Sequence, residues 1–190
     1  VSSAASDVYK SQLGTIVVDQ GTGADYGSAL DNVVPIAFEE ADAGLDTGMR
    51  LSGNAITPND IELALTNNNA ITAVLVTHNE TSTGVTIDLE AIAAVVKAFD
   101  KLLLVDGVSS VSSIPLRTDA WNCDVVATAS QKGWSVPPGL AFVSFSKRAW
   151  EAYSNSKMPK YYFDVAAYKK HLETGQSPFT PALSIMFALD

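Results

Sequence analysis

Short apolar runs recur along this chain, and most of them end at a cluster of polar residues. They are TIVVD (15–19), AVLVTHN (73–79), KLLLVDG (101–107), CDVVATA (123–129) and a run within SVPPGLAFVSFS (135–146). Runs that are apolar on both faces are typical of strands in a parallel sheet, because helices cover both sides of such a sheet. The sequence therefore predicts an α/β fold with a mostly parallel sheet and helices on both faces.

Between these runs the apolar spacing becomes helical. ITPNDIELALTNN (56–68) begins with Thr-Pro and has Asp and Asn in its first turn, which is typical of a helix start. In DLEAIAAVVKAFD (88–100) the apolar residues fall on one face at three- and four-residue spacing. KRAWEAYSNSK (147–157) predicts a further helix.

Composition limits the class of protein and of partner. The chain has 190 residues, 47% hydrophobic, and a formal net charge of -9. It can bury a core, and its acidity argues against a nucleic-acid partner. No apolar run approaches the roughly 20 residues that span a bilayer, and the first residues lack a signal-peptide pattern. Cys123 is the single cysteine, which fits a reducing compartment, so we expect a cytoplasmic protein without a membrane partner.

Three polar clusters directly follow apolar runs: THNETSTG (77–84), VDGVSSV (105–111) and SQKGW (130–134). The carboxyl ends of parallel strands meet at one edge of a sheet, so these clusters can share a cleft. Alone, Asp106 could stabilise a turn and Lys132 could be a solvated loop residue. Together they suit a cofactor with an aldehyde and a pyridine nitrogen. The lysine amine forms a Schiff base with the aldehyde, and the carboxylate keeps the ring nitrogen protonated.

The segments VLVTHNETSTGV, LLLVDGVSSV and SQKGWSVPPGLAFVSFS, in this order, resemble the class V pyridoxal-phosphate aminotransferases of the alanine–glyoxylate and serine–pyruvate type. The resemblance covers residues 54–190. It implies a fold-type I enzyme that uses pyridoxal 5'-phosphate. The reaction it implies is transamination between a small amino acid (alanine or serine) and a small 2-oxo acid (glyoxylate or pyruvate). It also implies a homodimer.

The resemblance assigns roles residue by residue. Lys132 is the expected Schiff-base lysine and proton carrier, and Asp106 the expected partner of the pyridine nitrogen. Six further residues are expected to contact the cofactor: Val108 under the ring, Thr81 and Ser82 near the ring face and its hydroxyl, Gln131 at the phosphate or hydroxyl, and Ser177 and Thr180 at the phosphate of the neighbouring subunit's cofactor. Which hydroxyl of GQSPFTP (175–181) matches the family is ambiguous.

Other chemistry-bearing residues have plainer interpretations. His78 is a candidate base, but a His at a strand end is more often a structural hydrogen-bonding group. Trp134 and the prolines 137–138 fix the shape of a loop, and Cys123 belongs to the core. We expect no metal site.

Two parts of the family pattern are missing. The phosphate-binding turn at a helix N-terminus has no counterpart beyond Ser2 and Ser3. No residue supplies the substrate-carboxylate arginine, since Arg117 has the pattern of a surface residue. We therefore expect residues 1–146 to form a cofactor-binding large domain with its N-terminal part missing or diverged. Residues 147–190 are expected to be a helical segment leading toward an absent C-terminal domain.

Alternatives to a working transaminase stay open. The chain could be a fragment, could lack internal segments, or could be a diverged relative that folds without turning over substrate. A further alternative is a desulfurase or lyase on the same scaffold. The resemblance weakens this interpretation, because Gln131 stands where desulfurases carry a His and Cys123 has an apolar context.

Overall fold

The computed structural model describes residues 15–19, 56–81 and 83–190, and in this part of the chain five strands form one sheet. The strands are β1 (Thr15–Asp19), β2 (Ile71–Thr77), β3 (Leu102–Asp106), β4 (Val125–Ala129) and β5 (Ala141–Phe145). The helices in the described residues are α1 (Pro58–Asn67), α2 (Leu89–Ala98), α3 (Lys147–Asn155), α4 (Val165–Leu172) and α5 (Leu183–Leu189).

The strands lie in the sheet in the order in which they occur in the chain. β1 to β4 are parallel to their neighbours, and β5 is antiparallel to β4. This arrangement confirms the predicted α/β fold with a mostly parallel sheet. It also places the carboxyl ends of β2, β3 and β4 side by side at one edge.

One face of the sheet carries the core. Val76, Val105 and Val126 pair across three neighbouring strands, and each is at most 5% exposed. They pack with the buried faces of α1 and α2, which also contact each other. On the opposite face the paired residues Leu75, Leu104 and Val125 are only half-buried. The driving force for this half of the fold is therefore the removal of branched aliphatic side chains from water.

Both helices of the core begin at the caps that the sequence specifies. At α1, the Thr57 hydroxyl accepts from the backbone N–H of Asp60, and the Asp60 carboxylate accepts from the backbone N–H of Thr57 at 2.8 Å. At α2, the Asp88 carboxylate accepts from the backbone N–H of Ala91. On the predicted apolar face of α2, Leu89, Ile92, Ala93 and Val96 are buried, and Phe99 packs against them.

A buried carboxylate anchors the end of the sheet opposite to the polar clusters. Asp124, 3% exposed, accepts from the backbone N–H of Leu103 at 3.0 Å and from the Ser146 hydroxyl at 2.7 Å. Ser146 in turn caps α3 by accepting from the backbone N–H of Ala149. Asp124 thus joins the start of β3, the start of β4 and the start of α3.

The last third of the described chain is less buried. The Tyr153 hydroxyl donates to Asp164, the N-cap of α4, and so links α3 to α4. Several large apolar side chains here face solvent, among them Tyr161, Leu172 and Phe187, which are 81%, 74% and 78% exposed. Among the described residues, no helix has both the length and the apolarity to cross a bilayer.

Some predictions fall outside the described residues. These are the phosphate-turn remnant at Ser2 and Ser3 and the cofactor contact at Ser82. The division into residues 1–146 and 147–190 stays a prediction.

Candidate active site

The three predicted polar clusters meet at the carboxyl edge of the sheet. Thr77, the last residue of β2, pairs with Asp106, the last residue of β3, and Asp106 pairs with Ala127 of β4. Lys132 follows β4 within a short loop. The parallel register therefore brings the loops that carry Thr81, Asp106 and Lys132 together.

Asp106 is a buried carboxyl group, 7% exposed. Its Oδ1 accepts from the backbone N–H of Val108 at 2.9 Å. The pKa of Asp106 is raised to about 6: burial raises it most and the charge of Glu80 adds to the rise, while the Val108 N–H, Thr77 and Lys132 lower it. Desolvation outweighs the favourable contacts, so a further cationic partner would stabilise the charged form of this carboxyl group.

Lys132 is half-buried, and its amine contacts the neighbouring cluster. Nζ donates to Thr81 Oγ1 at 3.2 Å, which joins the loop after β4 to the loop after β2. Its positive charge also acts on Asp106, since it lowers the pKa of that carboxyl. Amine, hydroxyl and carboxyl thus belong to one site.

The loop that carries Lys132 is closed by Ser130, which is fully buried. The Ser130 hydroxyl donates to the carbonyl of Pro137 at 2.7 Å and accepts from the backbone N–H of Leu140 at 3.3 Å. Trp134 packs against Phe142 with 5.0 Å between the ring centroids and an angle of 41° between the ring planes. These contacts fit the expectation that Trp134 and the prolines shape the loop.

Gly133 brings the same loop close to the turn that follows β3. A Cβ at Gly133 would lie 2.3 Å from the carbonyl oxygen of Val111, a distance that no side chain can accommodate without a backbone shift. Gly139, at the far end of the loop, has a φ of +140° and lies under Ile185 of α5. The loop is therefore held on both sides, and the position of Lys132 is set by backbone packing.

The remaining predicted residues differ in how they relate to this site. Val108 is 4% exposed and directly contacts Asp106 through its backbone. Gln131 is exposed beside Lys132. Ser177 and Thr180 are exposed in the loop between α4 and α5, where the Ser177 hydroxyl donates to the carbonyl of Phe179 at 2.6 Å. The structure thus brings together Lys132, Thr81, Asp106 and Val108, whereas Ser177 bonds within its own loop.

His78 lies below the site and contributes through its backbone. Its N–H donates to the carbonyl of Asp106 at 3.0 Å, and its carbonyl accepts from the N–H of Ile87 at 3.1 Å. Its ring is 3% exposed and meets Trp121 edge-on, and burial lowers the pKa of the ring. Within the described residues Nδ1 has no hydrogen-bond partner, and the hydrogen bonds of His78 given above are made by its backbone.

Sequence reasoning missed the residues that support the site. Ser109 accepts from Thr81, Thr77 contacts the Asp106 carboxyl, and Glu80 acts on its pKa. The only signal for Ser109 was its place in the polar cluster after β3, which it shares with Ser110. Cys123, by contrast, is core as predicted, and burial raises the pKa of its thiol to about 11.

Comparison with known proteins gives this geometry a context. The family model described as aminotransferase class-V matches residues 39–175. The chain belongs to the class V aminotransferase family. It is 46% identical over 140 residues to the small subunit of a soluble hydrogenase from a Synechococcus strain, covering 72% of this chain and 36% of that protein. It is 39% identical over 146 residues to a serine–glyoxylate aminotransferase of Methylorubrum extorquens, again covering 72% and 36%.

Solved structures agree with the sequence comparison. The chain superimposes on an alanine–glyoxylate aminotransferase from a Nostoc species with a TM-score of 0.74 at 25% identity. That match covers 97% of this chain and 48% of the other. The chain thus spans 36% of the length of the two curated relatives above. Among the described residues, no group of three or more His, Cys, Asp or Glu side chains is placed to hold a metal ion.

Proposed function

We propose that this protein is a pyridoxal-phosphate-dependent aminotransferase in which Lys132 binds the cofactor covalently. The proposal depends on one observation: the Lys132 amine and the buried Asp106 carboxyl lie at the same edge of the sheet, with Thr81 in contact with the amine. Membership of the class V family supports it. As substrates we propose alanine or serine as amino donor and glyoxylate or pyruvate as acceptor.

The residues fit the cofactor by chemical type. An amine is required for the aldehyde, and a carboxylate for the pyridine nitrogen, and both are present. Asp106 is a buried carboxyl group whose pKa is raised to about 6, and a protonated ring nitrogen would supply the cation that stabilises its charged form. Val108 offers an apolar side chain next to that carboxyl.

Pyridoxal phosphate, when bound, supplies an electron sink for the substrate's α carbon. Asp106 would hold the proton on the ring nitrogen, and Val108 would orient the ring by packing. Lys132 would hold the aldehyde through Nζ and would carry a proton at that atom. Thr81, Ser82 and Gln131 would position the ring and its polar substituents. Ser177 and Thr180 would act at the phosphate of a partner subunit's cofactor.

The choice of substrates is supported by what related proteins are named. The relative from Methylorubrum extorquens is a serine–glyoxylate aminotransferase, and the Nostoc structure is an alanine–glyoxylate aminotransferase. Both names contain a small amino acid and glyoxylate. The hydrogenase-subunit name belongs to the Synechococcus relative, and the amine–carboxyl pair described above favours transamination for this chain. We further propose a cytoplasmic location and a homodimer.

The decisive experiment maps the cofactor onto the chain. The purified protein is loaded with pyridoxal phosphate, reduced with borohydride and digested, and the pyridoxyl group is located by mass spectrometry. We expect it on Lys132 because that amine lies at the same edge of the sheet as Asp106 and contacts Thr81 there. Lys132→Ala should abolish the label and lower transamination of alanine or serine with glyoxylate by at least ~100-fold.

Lys147→Ala provides the matched control, since Lys147 is an exposed lysine at the start of α3. It should keep both the label and the activity. A pyridoxyl group on another lysine, or on none, would refute the proposal. Labelling of Lys132 without transamination of any donor would favour a non-catalytic relative of the family.

A further inference from the structure

A line of hydrogen bonds leads away from the Lys132 amine. Nζ donates to Thr81 Oγ1 at 3.2 Å, Thr81 Oγ1 donates to Ser109 Oγ at 3.1 Å, and Ser109 Oγ donates to the carbonyl oxygen of Asn79 at 2.7 Å. We refer to Lys132, Thr81, Ser109 and the Asn79 carbonyl as the hydroxyl relay. It connects the loops that follow β2, β3 and β4.

Asn79 and Ser109, the two relay members farthest from Lys132, are held in place by hydrogen bonds of their own loops. Asn79 forms an antiparallel bridge with Thr86, and its side-chain amide donates to the Thr86 hydroxyl at 2.7 Å. Ser109 lies in a turn in which the N–H of Val111 donates to the carbonyl of Gly107 at 2.9 Å. The Asn79 carbonyl and the Ser109 hydroxyl therefore meet in a defined geometry.

The direction of each bond in the relay follows from its last member. A carbonyl oxygen only accepts, so the single hydroxyl hydrogen of Ser109 is used on Asn79. Ser109 must then accept from Thr81, which uses the single hydroxyl hydrogen of Thr81. Toward Lys132, Thr81 can only accept. Without Ser109, the Thr81 hydroxyl hydrogen could turn toward Nζ and engage the lone pair of the neutral amine.

We propose that Ser109 is a positioning residue for Lys132: by fixing Thr81 as an acceptor, it keeps the amine lone pair free to attack an aldehyde. The inference deepens the proposed function and rests on it for its biological meaning. Ser109 needs no contact with the cofactor for this role, because it acts through Thr81.

The test uses formaldehyde with cyanoborohydride as a small aldehyde probe on the full chain without cofactor. Nζ attacks the aldehyde carbon, the carbonyl oxygen leaves as water, and hydride from cyanoborohydride reduces the carbon–nitrogen double bond to a methylamine. The rate at Lys132 is read by peptide mapping, with the exposed Lys147 as internal reference. We expect Ser109→Ala to slow methylation of Lys132 by about 3- to 10-fold, the range expected for one hydrogen bond.

A double-mutant comparison separates positioning from a structural effect. In a Thr81→Val background, where no hydroxyl can turn toward Nζ, Ser109→Ala should have no further effect on the rate. Ser109→Thr keeps the hydroxyl, so this variant should be methylated at Lys132 at the wild-type rate, unlike Ser109→Ala. Ser110→Ala is the matched control, because the neighbouring Ser110 hydroxyl is buried and lacks a partner among the described residues.

An unchanged rate in Ser109→Ala, or a slowing that persists with Thr81→Val, would overturn the proposal. If Ser109→Ala does not fold, Ser109→Cys retains the size with a weaker hydrogen-bonding group and should give the same slowing. Pyridoxyl mapping of the wild type judges the proposed function separately. If Lys132 carries no pyridoxyl group, the proposed function is refuted, while the formaldehyde rates still test the role of Ser109.

Discussion

At the scale of single residues, the buried carboxyl of Asp106 links stability to pH. Burial raises its pKa from 3.8 to about 6 in the folded chain. Because the folded pKa is the higher one, protonation favours folding: the contribution is complete below about pH 3.8 and is lost as pH rises through about 6. The protein without cofactor should therefore lose stability from this group between those values.

Asp106→Asn removes this dependence, since an amide carries no charge to bury. In urea titrations without cofactor, the variant should be more stable than the wild type at pH 7.5 by up to about 3 kcal/mol, and the difference should shrink toward pH 4. Asp119→Asn, at an exposed position, is the matched control. A stability difference that does not change with pH would contradict the burial argument.

The sequence was informative about which residues carry chemistry and much less so about what orients them. Lys132 and Asp106 stand out in the sequence because each is a charged residue at or shortly after the end of an apolar run, where the chain leaves the core. Ser109 and Ser110 look equivalent in the sequence, yet one hydroxyl meets Thr81 and the other is buried without a partner among the described residues. Only the three-dimensional pairing of the loops after β2 and β3 separates them.

At the scale of elements, Asp124 holds β3, β4 and α3 together through one side chain. Replacing it with Ala would leave the backbone N–H of Leu103 and the Ser146 hydroxyl without this acceptor. Because loss of one partner in a buried polar network is costly, Asp124→Ala should lower the free energy of unfolding by about 3 kcal/mol. Thermal and urea unfolding would measure the loss.

Asp100→Ala is a suitable control for Asp124. Asp100 forms a salt bridge with Arg148 at 2.9 Å, but the Asp100 side chain is 93% exposed. The loss there should stay below about 1 kcal/mol, as for surface ion pairs in general. Equal losses in the two variants would show that Asp124 does not have the anchoring role assigned to it.

The element boundaries show where periodicity is a good guide. Both ends of α2 lie within two residues of the predicted ends, because the capping residues and the apolar spacing indicate the same boundaries. The run 135–146 forms a strand only from Ala141, since the preceding prolines lack N–H groups and Ser130 holds the loop instead. The predicted strand 123–129 included Asp124, which the structure places directly before β4 as a side-chain acceptor for Leu103 and Ser146.

At the scale of the whole molecule, exposed apolar side chains of the last third favour self-association. Tyr161, Leu172 and Phe187 are each more than 70% exposed, and such surfaces often mark an interface. We expect light scattering to give twice the mass of the chain at micromolar concentration. Tyr161→Ser combined with Phe187→Ser should shift the protein toward the mass of one chain.

Leu63→Ser is the control for this pair, since Leu63 is an exposed apolar residue, 58% exposed, on α1. It should leave the mass unchanged. A wild-type protein that scatters as a single chain would refute the homodimer. A dimer that persists in the double variant would place the interface elsewhere.

The sequential order of the strands also affects how the protein folds. Within the described residues each strand pairs with the next one along the chain, so none of these five strands must wait for a distant described segment to be inserted between two others. Pairing of this kind keeps the loop-closure entropy of each step low and allows the sheet to extend during synthesis, from β2 through β5. The edge that carries Thr81, Asp106 and Lys132 then forms only when β4 joins β3, so the site is assembled late in the growth of its own sheet.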